Sequence, residues 1–497
     1  MKRIVLFLIM VLFLFQSCGK ENKVQENNSI INVWSQEEID SIDPHKSISA
    51  GTNQYLFNVY EGLIKIDENL QIKNQIAKDI QINENYDEFI FTLKDVKFHN
   101  GKTVTPEDVV YSIKRVSGFL KEEGIRVKSE LKNNIKDIFE ENGKVVIKLN
   151  NSNDEFLYYM NVPIIPESTD KNTEFIGTGP YKIKEYKPLN YLKLDINDEY
   201  YDEKAKNNVN ILMTTNMDAA IMNVKEGDVD LIPYLTFSQT KVLNNKMNIE
   251  VGNLNLIQSL YFNNNVKPFN DKRVREAISR MINEEEIIDI LSDGKATKVG
   301  HDLYFANKEI SDKNRQNIKD YDIKKAKELL KKAGYEKGLE FTIKVPNNYK
   351  YHIDTATIIQ NQLKEFGVKA NIELIEWSSW LENVYNNRKY QATIIALDNK
   401  LAPKDTIDRF YSKAPNNFIE FKNTEFDKNY EKLSKKNSDE KIEIYRKLED
   451  ILMSEYFSKP IQSPPQFTAV GKNIENYVFY PMYVQDFSKM LKDKNEK

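Results

Sequence analysis

Strand-type and helix-type apolar patterns alternate along the whole chain, with no low-complexity linker and no repeat of roughly 20 to 50 residues to suggest a solenoid. Such alternation confines the fold to mixed α/β, with helices packed on sheets. Cys18 is the only cysteine in 497 residues, so no disulfide can staple these elements and packing alone must hold them. A chain of this length exceeds one simple core, and two or three domains are expected.

Local signals support this organisation. Phe89, Phe91 and Leu93 alternate as one face of a strand, and Asn100-Gly101 supplies a tight turn. Thr105, Pro106 and Asp108 then open a helix as cap, first residue and reciprocal cap, with Val109, Ile113, Val116 and Leu120 on one buried stripe. Asp322 caps a helix carrying Ile323, Ala326, Leu330 and Ala333, which Gly334 ends. The strand FTIKV, a helix through Ile353, Ala356, Ile359, Leu363 and Phe366 ending at Gly367, the strand ANIELI, a helix from Trp377 to Asn387 and the strand ATIIAL follow as a βαβ-type series. Two further helices, Phe426 to Lys435 and Asp439 to Tyr456, precede a segment containing Pro460, Pro464 and Pro465.

The start of the chain carries an export signal. Lys2 and Arg3 precede an apolar run from Ile4 to Phe15, too short to span a bilayer comfortably, so residues 1–17 read as a cleaved signal peptide. Phe15-Gln16-Ser17-Cys18 resembles a bacterial lipoprotein box, departing from it at Phe15 where leucine is usual. Such a box implies acylation of Cys18 with palmitate-type chains, each buried methylene contributing about 0.8 kcal/mol to membrane anchoring. Residues 18–29, rich in Asn, Glu, Lys and Gln, suit a tether.

The 71 Lys and Arg against 75 Asp and Glu leave a net charge of -4, which provides no basic field for nucleic acid. No GxSxG, HExxH or glycine-rich phosphate loop occurs, and His45, His99, His301 and His352 are far apart in sequence. No enzyme or cofactor is indicated.

A series of words then becomes readable: Ser41-Ile-Asp-Pro-His-Lys46, Tyr60-Glu-Gly-Leu-Ile64, Phe91 to Val116, Gly177-Thr-Gly-Pro-Tyr181, Leu260 to Ile278 and Ala326 to Gly338. In this order they resemble the family 5 extracellular solute-binding proteins of ABC importers, from about Ile30 to Met490. The resemblance implies a two-lobed periplasmic-binding-protein type II α/β fold with an extra α+β domain beside the first lobe. Residues 30–57, 177–266 and 472–497 would form lobe I, 58–176 the extra domain and 267–471 lobe II. It also implies a monomer that closes around a peptide or other small solute and delivers it to permease subunits.

Peptide receptors of this kind add the ligand as an extra strand between two protein edges. The resemblance puts Ile48, Ser49 and Ala50 on one edge and Ile395, Ala396 and Leu397 on the other. An aspartate takes the ligand's ammonium in the family. Counting back from Pro403 and Phe410-Tyr411-Ser412 puts Asn399 there, with Asp398 one residue early, so either Asn399 replaces the anchor or Asp398 supplies it. Tyr234, Tyr261 and Asn416 fall near cleft positions. Tyr111, Arg115, Arg273 and Arg275 read as structural. A nickel-type chelate receptor and a peptide-sensing surface lipoprotein stay open as alternatives.

Overall fold

The computed structural model describes residues 29–36, 38–47, 49–167, 175–214, 216–225, 227–301, 310, 320–433 and 438–493. Cys18 and Ile48 lie outside them.

Three main sheets organise the chain. The first has seven strands, in the order Asn248–Asn253, Pro465–Val470, Leu231–Leu235, Ile30–Ser35, Asn208–Met213, Tyr191–Ile196 and Tyr181–Lys187. The second has six, in the order Thr297–Lys298, Ser458–Ser463, Leu256–Phe262, Ala392–Asp398, Leu339–Pro346 and Val368–Ile375. Between the early strands of the first sheet the chain inserts a four-stranded antiparallel sheet, Ala77–Ile82, Glu88–Leu93, Lys144–Leu149 and Ile135–Glu141, with its own core around Phe89, Phe91, Val109 and Ile113. Helices cover both faces of the second sheet: Ile394 packs on one side with Phe341, Ile343 and Ile359, and Ile395 on the other with Trp380, Phe418 and Leu448. Side chains alternate across a strand, so one run can serve both cores.

Capping decides where helices start and stop. Thr105 and Asp108 form the reciprocal box, and Pro106 occupies the first turn of Pro106–Ser117. Gly118, at φ +82, then ends the helix in the left-handed conformation, so Leu120 lies past it and the stripe stops at Val116. Asp322 caps Ile323–Lys332, accepting from the Lys325 N–H at 2.9 Å. The helix expected over 377–387 is helical in two registers, α over Trp377–Trp380 and π over Leu381–Asn386.

The strand ladders correct two lobe boundaries. Leu256–Phe262, expected in lobe I, pairs along its length with Ala392–Asp398 of the second sheet. Pro465–Val470, expected in lobe II, pairs with Asn248–Asn253 and Leu231–Leu235 of the first. The chain therefore passes between the sheets at 253–256 and 463–465. Asn253 Nδ2 donates to the Ser463 carbonyl at 3.2 Å and Ser463 Oγ to the Leu254 carbonyl at 2.9 Å, tying the two crossings side by side. Pro464 and Pro465 fix φ there without costing ladder amides inside a central strand.

Candidate functional site: the cleft at the strand crossings

In open α/β sheets, ligands bind beyond the carboxyl ends of the parallel strands. In the first sheet, Ile30–Ser35 runs parallel to Asn208–Met213 and Leu231–Leu235; in the second, Leu339–Pro346 runs parallel to Val368–Ile375 and Ala392–Asp398. Leu235 pairs with Phe467 and Asp398 with Leu256, so the carboxyl ends of both sets meet the crossings. That junction is the candidate cleft.

Tyr234, Asp398 and Asn399 come to it; the other expected residues divide. Tyr234 sits at a positive φ of 60° in the bulged end of its strand, its ring 5.3 Å from Tyr483, and burial pushes its hydroxyl pKa well up. Asn399 is buried: its N–H donates to the Asn255 carbonyl at 3.0 Å, and Asn255 Nδ2 donates back to the Asn399 carbonyl at 2.7 Å. Among the described residues, Asn399 Nδ2 and Asn255 Oδ1 are buried without a hydrogen-bond partner. Asp398 faces outward and pairs with Lys400 at 2.5 Å. Burial raises the Asp398 carboxyl, but Lys400 and Arg409 outweigh it and hold the group below the usual aspartate range.

Ser49 is committed elsewhere. Its N–H donates to Asp40 Oδ2 at 3.0 Å, its carbonyl accepts from the Asn53 N–H at 3.2 Å, and its hydroxyl caps the helix Ala50–Leu56. Ser49, itself extended at φ -79° and ψ 129°, is the N-cap and Ala50 the first helical residue, so the two do not continue as the extended edge that the sequence suggests. Opposite, the Ala396 N–H donates to His352 Nε2 at 3.3 Å, and Arg409 donates to the Asp398 carbonyl at 3.1 Å. Ile395 is in the core, and Leu397 packs against it. Tyr261 is a core residue at 1% exposure, edge-on to Phe418 at 5.5 Å, and not a pocket wall. It stands five positions from the crossing end of its strand, about 17 Å at strand rise. Asn416 lies in the turn beside Pro415, whose carbonyl accepts from Arg388, next to Phe418 and the opposite end of that strand.

Sequence reasoning missed the aromatic and amide groups at this junction. Trp377, just past the strand Val368–Ile375, stacks on Trp380 at 5.1 Å and 4°, with Tyr349 edge-on at 5.6 Å. A tryptophan immediately after a strand was the available signal. Below them His352 bridges Ala396 and the amide of Gln258, 2.7 Å from Nδ1, and Gln258 contacts Thr355 and Gln462. Burial lowers the His352 pKa to about 4, so the ring is neutral. Gln258 Nε2 faces His352 Nδ1, while Gln258 Oε1 accepts from the Thr355 hydroxyl at 3.2 Å and from Gln462 Nε2 at 2.8 Å. These side chains form a neutral polar floor.

Most of the recognisable words meet at another place, between the first sheet and the insert. Arg115, 1% exposed, donates to both Asp43 carboxylate oxygens at 3.0 and 2.8 Å, to Glu122 at 2.7 Å and to His45 Nδ1 at 3.2 Å. His45 Nε2 donates to the Pro163 carbonyl at 2.8 Å. Glu61 accepts from Gln75 and Tyr200 at 2.7 Å and from Thr178 at 2.8 Å. His99 accepts the Gly177 N–H at Nδ1 and donates from Nε2 to the Gly179 carbonyl. A Cβ at Gly177 would lie 2.1 Å from the Val59 carbonyl oxygen and one at Gly179 2.5 Å from that of Asn58, so close backbone approach requires both glycines. The structural reading of Arg115 is thereby given a partner set, and Arg275 likewise binds the carbonyls of Phe269, Glu455 and Tyr456.

Comparison with known proteins matches this architecture. The oligopeptide-binding protein AppA of Bacillus subtilis is 28% identical over 465 residues, covering 85% of this chain and 84% of that protein. Its crystal structure with a nonapeptide has a TM-score of 0.74 at 23% identity, covering 94% of this chain and 99% of the other. The ABC transporter substrate-binding protein CtaP of Listeria monocytogenes has a TM-score of 0.83 at 25% identity, covering 94% and 99%. The description "Bacterial extracellular solute-binding proteins, family 5 Middle" matches residues 71–418. With that match over most of its length and a two-sheet architecture shared with these neighbours, the chain belongs to the family 5 bacterial extracellular solute-binding proteins.

Proposed function

We propose that this chain is the solute receptor of an ABC importer, tethered to the membrane through acylated Cys18, which captures peptides in the cleft and presents them to the permease by hinge closure. The carrying observation is the chemistry at the strand ends: neutral amides at Asn255 and Asn399, the ring of Tyr234, and Gln258 joined through His352 to the rings of Tyr349 and Trp377. Side-chain amides supply both donors and acceptors, which a peptide backbone matches and a carboxylate cage does not. The names of AppA and of its nonapeptide complex support the same cargo class. With Lys400 on Asp398, a free ligand ammonium would have to displace a lysine, so the backbone carries more of the recognition than the terminus.

Native mass spectrometry of protein expressed from Gly19 onward, before and after mild denaturation, tests this reading by identifying what co-purifies. Co-purified peptides support it; a metal chelate instead would move the assignment to the nickel-type alternative. Replacing Cys18→Ser in the full chain is expected to move the protein from the membrane fraction to the soluble one. Retention in the membrane would refute the lipid tether.

A further inference from the structure

The insert touches the second lobe through polar groups drawn from distant parts of the chain. Asp154 pairs with Lys441, each 9% exposed. Glu155, 8% exposed, accepts the Lys404 N–H at 3.1 Å and the Tyr445 hydroxyl. Tyr159 donates to Asp405 Oδ2 at 2.7 Å, and Leu401 packs against the insert core. Lys404 and Asp405 sit on the short helix Pro403–Ile407, just beyond Asp398 and Asn399 of the candidate cleft. The insert itself is held on the first sheet by Arg115 and Asp43, whereas the sheets are linked by the crossings at 253–256 and 463–465. A hinge rotation at those crossings would part these partners.

We propose that Asp154, Glu155 and Tyr159 are positioning residues of a clasp through which the insert holds the second lobe closed over a bound solute, and that closing takes up protons on Glu155 and Asp405. The inference rests on the receptor reading above. The clasp buries two carboxyls that burial raises above their ordinary values. Burial raises Glu155 to about 7, against the pull of Tyr445, the Lys404 N–H and Lys441 from the second lobe and with the push of Asp154 from its own segment. Burial also raises Asp405, which faces Tyr159 and Glu130 of the insert and Asp408 and Lys404 of its own lobe. In an open form water reaches both groups and restores ordinary values near 4. A group raised on closing favours the closed form fully below its open-state value, and that advantage is lost as pH rises through the closed-state value. For Glu155 the window runs from about 4.5 to about 7, with the closed-to-open ratio falling up to about tenfold per pH unit inside it.

The mature chain from Gly19 has no cysteine, so spin labels can be placed at Lys136→Cys on the insert and Lys428→Cys on the second lobe, both exposed. Pulsed electron–electron resonance at pH 5 to 8, with and without a tryptic casein digest as the peptide probe, reads the closed-to-open ratio. In the labelled parent the ratio is expected to fall at least tenfold from pH 5 to 8. In Glu155→Gln, which keeps one acceptor for the Lys404 N–H, offers the Tyr445 hydroxyl an amide donor and cannot titrate, the fall should shrink to under about threefold, and Glu155→Gln with Asp405→Asn should be flat. Tyr159→Phe should lower the ratio most at pH 8 and steepen its slope, because losing the hydroxyl donor lifts the closed-state Asp405 carboxyl further. A parent ratio independent of pH, or a Glu155→Gln profile equal to the parent's, overturns the clasp. If peptides shift the ratio while the variants match the parent, the receptor reading survives and the clasp falls. If the ratio follows pH and Glu155 but ignores peptides, the clasp stands and the peptide assignment falls.

Discussion

The insert makes two joints of opposite electrostatic character. Toward the first sheet it presents Arg115, which forks onto Asp43; burial raises that carboxyl, but the Arg115 and His45 donors outweigh it and hold Asp43 below the usual range. Toward the second lobe it presents Glu155, which burial pushes up to about 7. The first joint turns on a forked ion pair, and the second sets a raised carboxyl beside the Asp154–Lys441 pair. A charge that can only be buried with its partner makes a permanent seam, because separating the pair strands an ion in a low-dielectric site. A carboxyl that regains water on opening makes a seam that can part.

Breaking the first joint should therefore unfold the protein, whereas breaking the second should only open it. Arg115→Met is expected to cost roughly 3–5 kcal/mol in urea unfolding by leaving Asp43 buried and unpaired. Lys441→Met should stay within about 1 kcal/mol of the parent, because opening hydrates Asp154. Equal losses would erase the distinction.

Acid should drive the two joints in opposite directions. Burial lowers His45 and His99 at the first joint to about 4 from an ordinary 6.5. A depressed histidine gives stability that is full above the unfolded value and lost as pH falls through the folded one, so the two histidines weaken this joint between pH 6.5 and 4, while Glu61, whose carboxyl burial raises, works against them. The loss approaches about 1.4 kcal/mol per pH unit for each histidine. Protection factors of the amides across Pro106–Ser117, taken against the slower intrinsic exchange at low pH, should fall from pH 7 to 5, while the closed population rises over the same interval. Parallel changes would refute the contrast.

The finest probe is Thr105→Ala, which removes one cap from the helix that carries Arg115. It should cost about 1 kcal/mol of unfolding free energy and leave the closed-to-open ratio unchanged.

Helix caps were readable because they are local. Thr105, Pro106 and Asp108 act within one turn, and Asp322 caps the residues that follow it. Gly118 carried the stop signal that excludes Leu120 from the helix, and Ser49 could have been read as a cap with equal justice to an edge. Asp154 and Glu155 carried no such signal. Their partners are 287 and 290 residues away, within a polar stretch that looks like any surface loop. The lobe of the strand Leu256–Phe262 is illegible for a related reason: its alternation reports a buried strand and not which sheet completes its ladder.

The amino-acid order alone specified the α/β class, the caps and a set of words whose residues form the joint between the first sheet and the insert. Those depend on short-range sterics and on residue types with few alternatives: a glycine where backbones touch, a capping hydroxyl, an arginine able to fork onto a carboxylate. Tertiary structure decided which strands cross between sheets, that Tyr261 is core, that Lys400 occupies Asp398, and that Glu155 meets Tyr445. Those outcomes depend on desolvation and pairing between segments brought together only by the completed fold, and neither quantity exists in the unfolded chain.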